Sequence, residues 1–230
     1  GEAGEPILYL VTSQGPLTDH QDGGNLGSKL LALRLDAETG TATPAFSSGF
    51  ESDYVVAIGL RNPWRLAPCG GVLCVVDPGG GDVEELNFYD GAGMNFGWPF
   101  VEGYGDEEEV EAYDDPAFAW ESEDLTWPQS DPTGPGIVGL ANTPALGVRV
   151  SGDAYEGRLE GMVLFGDFFD GWVRGLLLDD AGSVVGESIH VAHQSFLMSM
   201  VEAGGFVYAL DMVGGFYQMV PWKDRPIITQ

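Results

Sequence analysis

The sequence predicts an all-β chain built as a β-propeller with about four blades, and three observations carry that expectation. Amphipathic helical stretches are nearly absent, while 35 Gly and 14 Pro punctuate the 230 residues every few positions. That is the pattern of many short strands joined by turns. One form then recurs four times: an apolar strand, a small or acidic break, and a second strand. In each unit the first strand is almost wholly apolar, as in a strand covered on both faces, and the second is more mixed. Radial repetition of such hairpins makes a propeller, in which each blade is a small sheet packed on its neighbours. A two-sheet sandwich also uses short strands, but the recurrence of the strand–Asp/Gly–strand form favours the propeller.

In chain order the units are "ILYLVTSQG" leading to "KLLALRLD", "GVLCVVDPGGG" to "VEELNFYD", "GMVLFGDFFDG" to "WVRGLLLD", and "GFVYALDMVGG" to "FYQMVP". Residues 1–230 read as a single partial propeller domain. The spacing between units leaves a long acidic insertion at 102–141, which contains "GDEEEVEAYDDPAFAWESEDL". Its acids do not follow EF-hand spacing, so it reads as a solvated excursion anchored by Trp120 and Trp127. Cys69 and Cys74 flank a Gly70-Gly71 turn in "PCGGVLCVV". A two-residue hairpin there sets Cys69 opposite Val72, so the sulfurs are not directly opposed and a disulfide stays open. Two cysteines without a nearby His make no zinc site.

The formal net charge is −27, with 9 Lys+Arg against 36 Asp+Glu. Such a chain repels nucleic acid and anionic lipid surfaces, so neither is an expected partner. The acidity reads first as a solvated surface that keeps the chain soluble, with a cation or a basic partner protein as the sharper reading. No apolar run approaches the ~20 residues of a membrane helix, so no membrane span is expected. The opening "GEAGEPILYL" has neither an initiating Met nor the pattern of a signal peptide, as expected of a processed chain or part of a longer one. Two of the few cations, Arg61 and Arg65, fall together in "YVVAIGLRNPWRLAP".

Four strings occur in order: "GLRNPWRLA", "VVDPGGGDVEELN", "GAGMNFGWPFVEGY" and "VSGDAYEGRLEGMVLFGDFFDG". Together they resemble the glucose/sorbosone dehydrogenase family, six-bladed quinoproteins that use pyrroloquinoline quinone (PQQ) with calcium. The hedgehog-interacting-protein-like propellers of animals share these strings. The resemblance runs from about Ile7 to Pro221. It implies a PQQ- and calcium-dependent sugar dehydrogenase-like domain of extracytoplasmic location, oxidising a sugar hydroxyl by hydride transfer to the quinone. By matching position, Arg61 and Asn62 would contact PQQ, as suits a planar charged donor fork facing a tricarboxylate. Gln14 also falls where these quinoproteins contact PQQ. The resemblance further implies that the Gly79 and Gly80 carbonyls hold the PQQ-associated calcium, and that Glu84 and Glu85 match an acidic pair on a second calcium. Arg65 has no family role and reads as a surface or inter-blade ion pair. Asn95 and Gly97 are expected to hold a tight turn, Trp98 to pack between blades, and Asp167 to cap a turn through backbone N–H groups.

The chain departs from the family pattern in three ways. Sugar oxidation needs a general base, and the family's His lies on a strand before the one matching "ILYLVTSQG", so the catalytic His is not in this segment. His20, His190 and His193 are expected not to replace it. The late basic residues of glucose-oxidising members are replaced here by Phe, Gln and Phe. Finally, about four blades where six are expected implies missing N-terminal blades, or a protein partner covering the open propeller. The alternative function is therefore a non-catalytic extracytoplasmic propeller that serves as a binding or structural subunit. A glycosidase is disfavoured, since no carboxylate pair flanks a recognisable pocket.

Overall fold

The computed structural model describes residues 6–13, 19–80, 83–91, 93–106, 112–121, 144–194 and 196–221. Sixteen strands and no α-helix occur among them, so no helix is long and apolar enough to cross a membrane. The strands form four sheets, one around each of the four repeated hairpins. Sheet one holds β1 (Ile7–Thr12), β2 (Lys29–Leu35), β3 (Ala42–Pro44), β4 (Val55–Ile58) and β8 (Met94–Asn95), in the order β1-β2-β4-β8 with β3 also on β2. Sheet two runs β5 (Arg65–Pro68), β6 (Leu73–Asp77), β7 (Val83–Tyr89), β9 (Phe118–Glu121). Sheet three runs β10 (Pro144–Arg149), β11 (Met162–Asp167), β12 (Trp172–Leu177), β13 (Ile189–His193). Sheet four runs β14 (Leu197–Ala203), β15 (Phe206–Asp211), β16 (Phe216–Gln218). These are four propeller blades. The edge strands β1, β5, β10 and β14 touch one another in turn, which marks them as the inner strands.

The cores lie between blades. Strand residues alternate between faces, so one strand feeds two cores. In β6, Cys74 and Val76 pack toward sheet three while Val75 packs toward sheet one. In β11, Val163 and Phe165 join the core shared with sheet two, and Leu164 joins the core shared with sheet four. An aromatic cluster fills the second-to-third junction. Phe165 meets Phe118, Trp120 and Trp172 at ring separations of 5.1, 5.8 and 5.8 Å.

Two expectations are revised, and one question left open is answered. The 102–141 segment is not wholly a solvated loop, because Phe118–Glu121 is the fourth strand of sheet two and Trp120 is buried in its core; Trp127 lies outside the described residues. The first hairpin reverses the expected burial, with β1 half-open at its sheet's edge and β2 buried. Leu8 and Leu10 remain 40% exposed because no described sheet covers that face. At the other end of the array, Val201, Phe216 and Tyr217 are exposed in the same way. Finally, Cys69 and Cys74 are joined by a disulfide. Cys69 does face Val72, donating its N–H to the Val72 carbonyl at 2.9 Å. The bond runs diagonally between Cα atoms 5.8 Å apart, within the range a disulfide spans.

Truncating Phe165 leaves the aromatic junction with a cavity. Phe165→Ala is expected to lower unfolding free energy by about 3–5 kcal/mol. Phe216→Ala, on the open face, is expected to change it by under about 0.5 kcal/mol. Urea denaturation of both variants measures the contrast.

Candidate functional site

The first strand of each of the last three hairpins ends in an aspartate: Asp77, Asp167 and Asp211. All three are buried. Each must find donors, because a buried ionised carboxylate without hydrogen bonds is expensive. Asp167 takes its donors from its own turn, accepting the N–H groups of Phe169 (2.8 Å) and Asp170 (2.7 Å) as expected of a turn cap. Asp211 does likewise, accepting Val213 N–H at 3.0 Å and Gly215 N–H at 2.7 Å.

Asp77 breaks the pattern. Its carboxylate accepts the backbone N–H groups of Arg61 (2.7 Å) and Asn62 (2.6 Å) from the preceding loop. Other acids serve its own turn: Gly79 N–H donates to Glu84 at 3.2 Å, and Gly80 N–H donates to Glu102. The repeat's capping acid is thus diverted to fix the Arg61–Asn62 corner. The Arg61 guanidinium folds back over the same turn, donating from Nη1 to the Pro78 carbonyl at 3.0 Å and lying 5.6 Å from the centre of the Trp98 ring. A narrow crevice results, lined by Arg61, Asp77, Pro78, Gly79, Glu85, Trp98 and Glu102.

Both described glycines of this turn are sterically required. A side chain at Gly79 would meet the Val83 carbonyl and the Glu102 carboxylate. One at Gly80 would lie 2.5 Å from Trp98 and 2.8 Å from the Arg61 Nε. The turn is therefore packed and not merely flexible.

The acids around the crevice are held toward their neutral forms. Burial, reinforced by the Glu85 charge, raises Asp77 far above the usual carboxylate range, although the Arg61 and Asn62 amides oppose this. Burial raises Glu84 to about 8, with the Asp167 and Asp77 charges adding to it. Burial also raises Glu85, with Glu102 adding and Asn87 and Gly103 opposing. Such shifts cluster where a protein prepares to hold a cation or move a proton.

The structure brings Arg61, Gly79, Gly80 and Glu85 together at one end of sheet two. Asn62 adjoins them through the Asp77 bond. Glu84 and Glu85 follow each other along β7 and so face opposite sides of the sheet. Glu84 turns to Gly79 and the neighbourhood of Asp167, while Glu85 accepts from Gly103 N–H at 2.7 Å and Asn87 Nδ2 at 3.0 Å. Gln14, Gly81 and Asp82 lie outside the described residues. Among the described residues no three His, Cys, Asp or Glu side chains converge as a metal cluster. Asn95 and Gly97 hold the expected turn, Asn95 Oδ1 accepting Gly97 N–H at 3.1 Å. Trp98 does more than pack, since it forms a wall of the crevice.

His20 lies in a turn-rich segment. It is buried behind Trp98, edge-on at 6.2 Å, with Nδ1 2.8 Å from the Leu60 carbonyl. His190 and His193 stand on β13, the fourth strand of sheet three, where burial, with Arg174 next, lowers His190 to about 4. None of the three lines the crevice. Sequence reasoning missed Asp77, Trp98 and Glu102 as site residues. The available signal for Asp77 was its register, as the acid that ends the first strand in three consecutive units.

The sequence matches no protein-family model and no curated protein. Solved structures do share its architecture. A Thermus thermophilus oxidoreductase described as a glucose dehydrogenase matches with TM-score 0.62 at 22% identity, over 89% of this chain and 55% of its own. The PQQ-bound aldose sugar dehydrogenase of Streptomyces coelicolor matches with TM-score 0.64 at 20% identity, over 89% and 52%. The soluble aldose sugar dehydrogenase of Escherichia coli, in its apo-form, matches with TM-score 0.64 at 18% identity, over 92% and 60%. These likenesses define the fold: a quinoprotein-type propeller of which four blades are represented here. The chain spans a little over half the length of the structures it resembles.

The raised acids set a pH dependence. Unfolded Glu84 ionises above its ordinary 4.5, whereas folded Glu84 keeps its proton until about 8. The folded state therefore binds more protons in that window, and stability falls as pH rises through it. Glu84→Gln still accepts from Gly79 and removes this contribution. The variant is expected to match the wild-type melting temperature near pH 4.5 and to exceed it at pH 8, in a series of thermal melts without added metal.

Proposed function

We propose that this chain is the cofactor-holding part of a PQQ- and calcium-dependent sugar dehydrogenase of extracytoplasmic location. The single observation that supports this reading most is the Arg61–Asn62 corner. A buried carboxylate fixes its backbone beside a glycine turn that tolerates no side chain. Fixed backbone is what a binding group needs if it is to meet a rigid ligand without an ordering cost.

The donor set fits a hard divalent cation well. Oxygen ligands abound around the crevice, and acids held partly protonated by burial gain most from a neighbouring cation. Gly79 and Gly80 carbonyls with Glu85 would hold the calcium on the crevice side, and Glu84 would serve the opposite face of β7. Arg61 and Asn62 would bind a quinone carboxylate and carbonyl oxygen, with Gln14 beside them. When bound, PQQ supplies the acceptor for hydride from a sugar carbon. Asp77 orients Arg61 and Asn62 and keeps their amides from water, and Trp98 covers the Arg61 face. No histidine of this chain is assigned as the base. The Cys69–Cys74 disulfide supports an oxidising compartment.

A second reading, a non-catalytic propeller within an assembly, draws support from the exposed apolar faces of sheets one and four. Such faces mark sites of packing against another surface. One experiment separates the two. PQQ with calcium at about a hundred times its dissociation constant is expected to stabilise the protein by about 2.7 kcal/mol. Arg61→Ala is expected to abolish that gain in thermal melts. An unchanged wild-type melting temperature at saturating PQQ and calcium would favour the assembly reading.

A further inference from the structure

A second guanidinium lies at the same end of the propeller, and nothing described so far uses it. Arg65 is the first residue of the inner strand β5, paired with Val76, the neighbour of Asp77. Its Nη1 donates to Ser199 Oγ at 3.1 Å, on the inner strand β14. The inner strand β10 lies between them, touching both. The side chain therefore crosses the inner edge of the array from the second blade to the fourth. Trp64 beneath it is tied to β10 by an Nε1 bond of 3.0 Å to the Pro144 carbonyl, and the guanidinium carbon sits 5.2 Å from the Trp64 ring centre.

This arginine is not the ion pair its sequence suggested. The chain carries 36 acids, yet among the described residues the one ion pair joins Arg158 to Glu156. The Arg65 Nε is buried without an acceptor, and burial pulls the guanidinium below its usual range with no carboxylate to oppose it. A strut between blades needs no charge. A hydroxyl and an aromatic face do not replace the hydration that this cation has lost, and an unmet buried donor costs free energy comparable to a lost hydrogen bond. An uncompensated, half-buried arginine suits a carboxylate brought by a ligand to the open part of its fork, which supplies the missing counter-charge.

We propose that Arg65 is an anion-binding residue at the mouth of the propeller axis, receiving a carboxylate of a small polycarboxylate ligand whose other end lies at Arg61. This rests on the reading given above only for the identity of that ligand. Arg65 follows Arg61 by four positions, so their Cα atoms are at most about 13 Å apart. One small, planar polyacid can therefore engage both.

Trp64 reports the site directly, because a ligand on Arg65 alters the cation resting on its ring. The test titrates the whole protein with citrate, and separately with PQQ plus calcium, following tryptophan fluorescence and binding heat. Wild type, Arg65→Gln, Arg65→Lys and Ser199→Ala are compared. Arg65→Gln is expected to weaken binding by about ten- to a hundredfold. Arg65→Lys, which keeps the charge but not the fork, is expected to lose less, and Ser199→Ala little. Unchanged affinity in both Arg65 variants overturns the proposal and leaves the PQQ reading standing. Citrate bound through Arg65 by a protein that ignores PQQ upholds the proposal and overturns that reading. Failure of wild type to bind either ligand overturns both.

Discussion

The buried carboxylate of Asp77 is the constraint on which the site depends. It closes a loop fifteen to sixteen residues long by bonding two consecutive amides, at 2.6 and 2.7 Å. Its equivalents Asp167 and Asp211 spend the same capacity on their own turns. One copy of a repeated hairpin has thus been turned from capping itself to holding a neighbour. The local sequence allows this because Glu84 and Glu102 take over the amides of Gly79 and Gly80. Pro78, having no N–H, needs no acceptor. The consequence is crowding of negative charge, which burial resolves by holding the carboxyls partly protonated.

The blades provide the frame for that corner. Because each inner blade feeds both of its faces into separate cores, moving one strand by a residue would empty two cores at once. Sheets two and three are covered on both sides and carry the largest buried cluster. Sheets one and four have one covered face each, and their outer faces expose Leu8, Leu10, Val201 and Phe216. The site therefore stands on the best-supported part of the array, with Arg61 preceding β5 and Glu85 on β7 of the same sheet.

What the sequence made legible follows the same physics. All four hairpins could be read, because apolar runs ending in Asp or Gly are strong local signals. The other eight strands lie outside those hairpins, and three of them show why. β8 is two residues long and pairs parallel with β4, far back in the chain, β9 hides in an acid-rich segment, and β13 carries His and Ala beside its apolar residues. Pairing partners so distant leave no local pattern. Arg61 and Asn62 were legible from their motif, but the acid that holds them was not, because Asp77 sits in a turn that looks like the other turns. The burial of His20 was hidden for a related reason: a polar loop sequence says nothing of Trp98, which covers it from 78 positions away.

Charge then imposes an order on any chemistry at this corner. Arg61 shares its crevice with Asp77, Glu85 and Glu102, so an anionic ligand approaching it also approaches carboxyls that ionise as pH rises. A cation at the glycine turn removes that obstacle, since it holds those oxygens by coordination and leaves the guanidinium field unopposed. On the proposed reading, metal binding would precede, or accompany, the binding of a polycarboxylate. Arg65 is exempt from this order, because no carboxylate opposes it on the inner edge. A ligand entering along the axis would meet the uncompensated cation first and the compensated one second. At that first point an aromatic ring and not a carboxylate supports the charge.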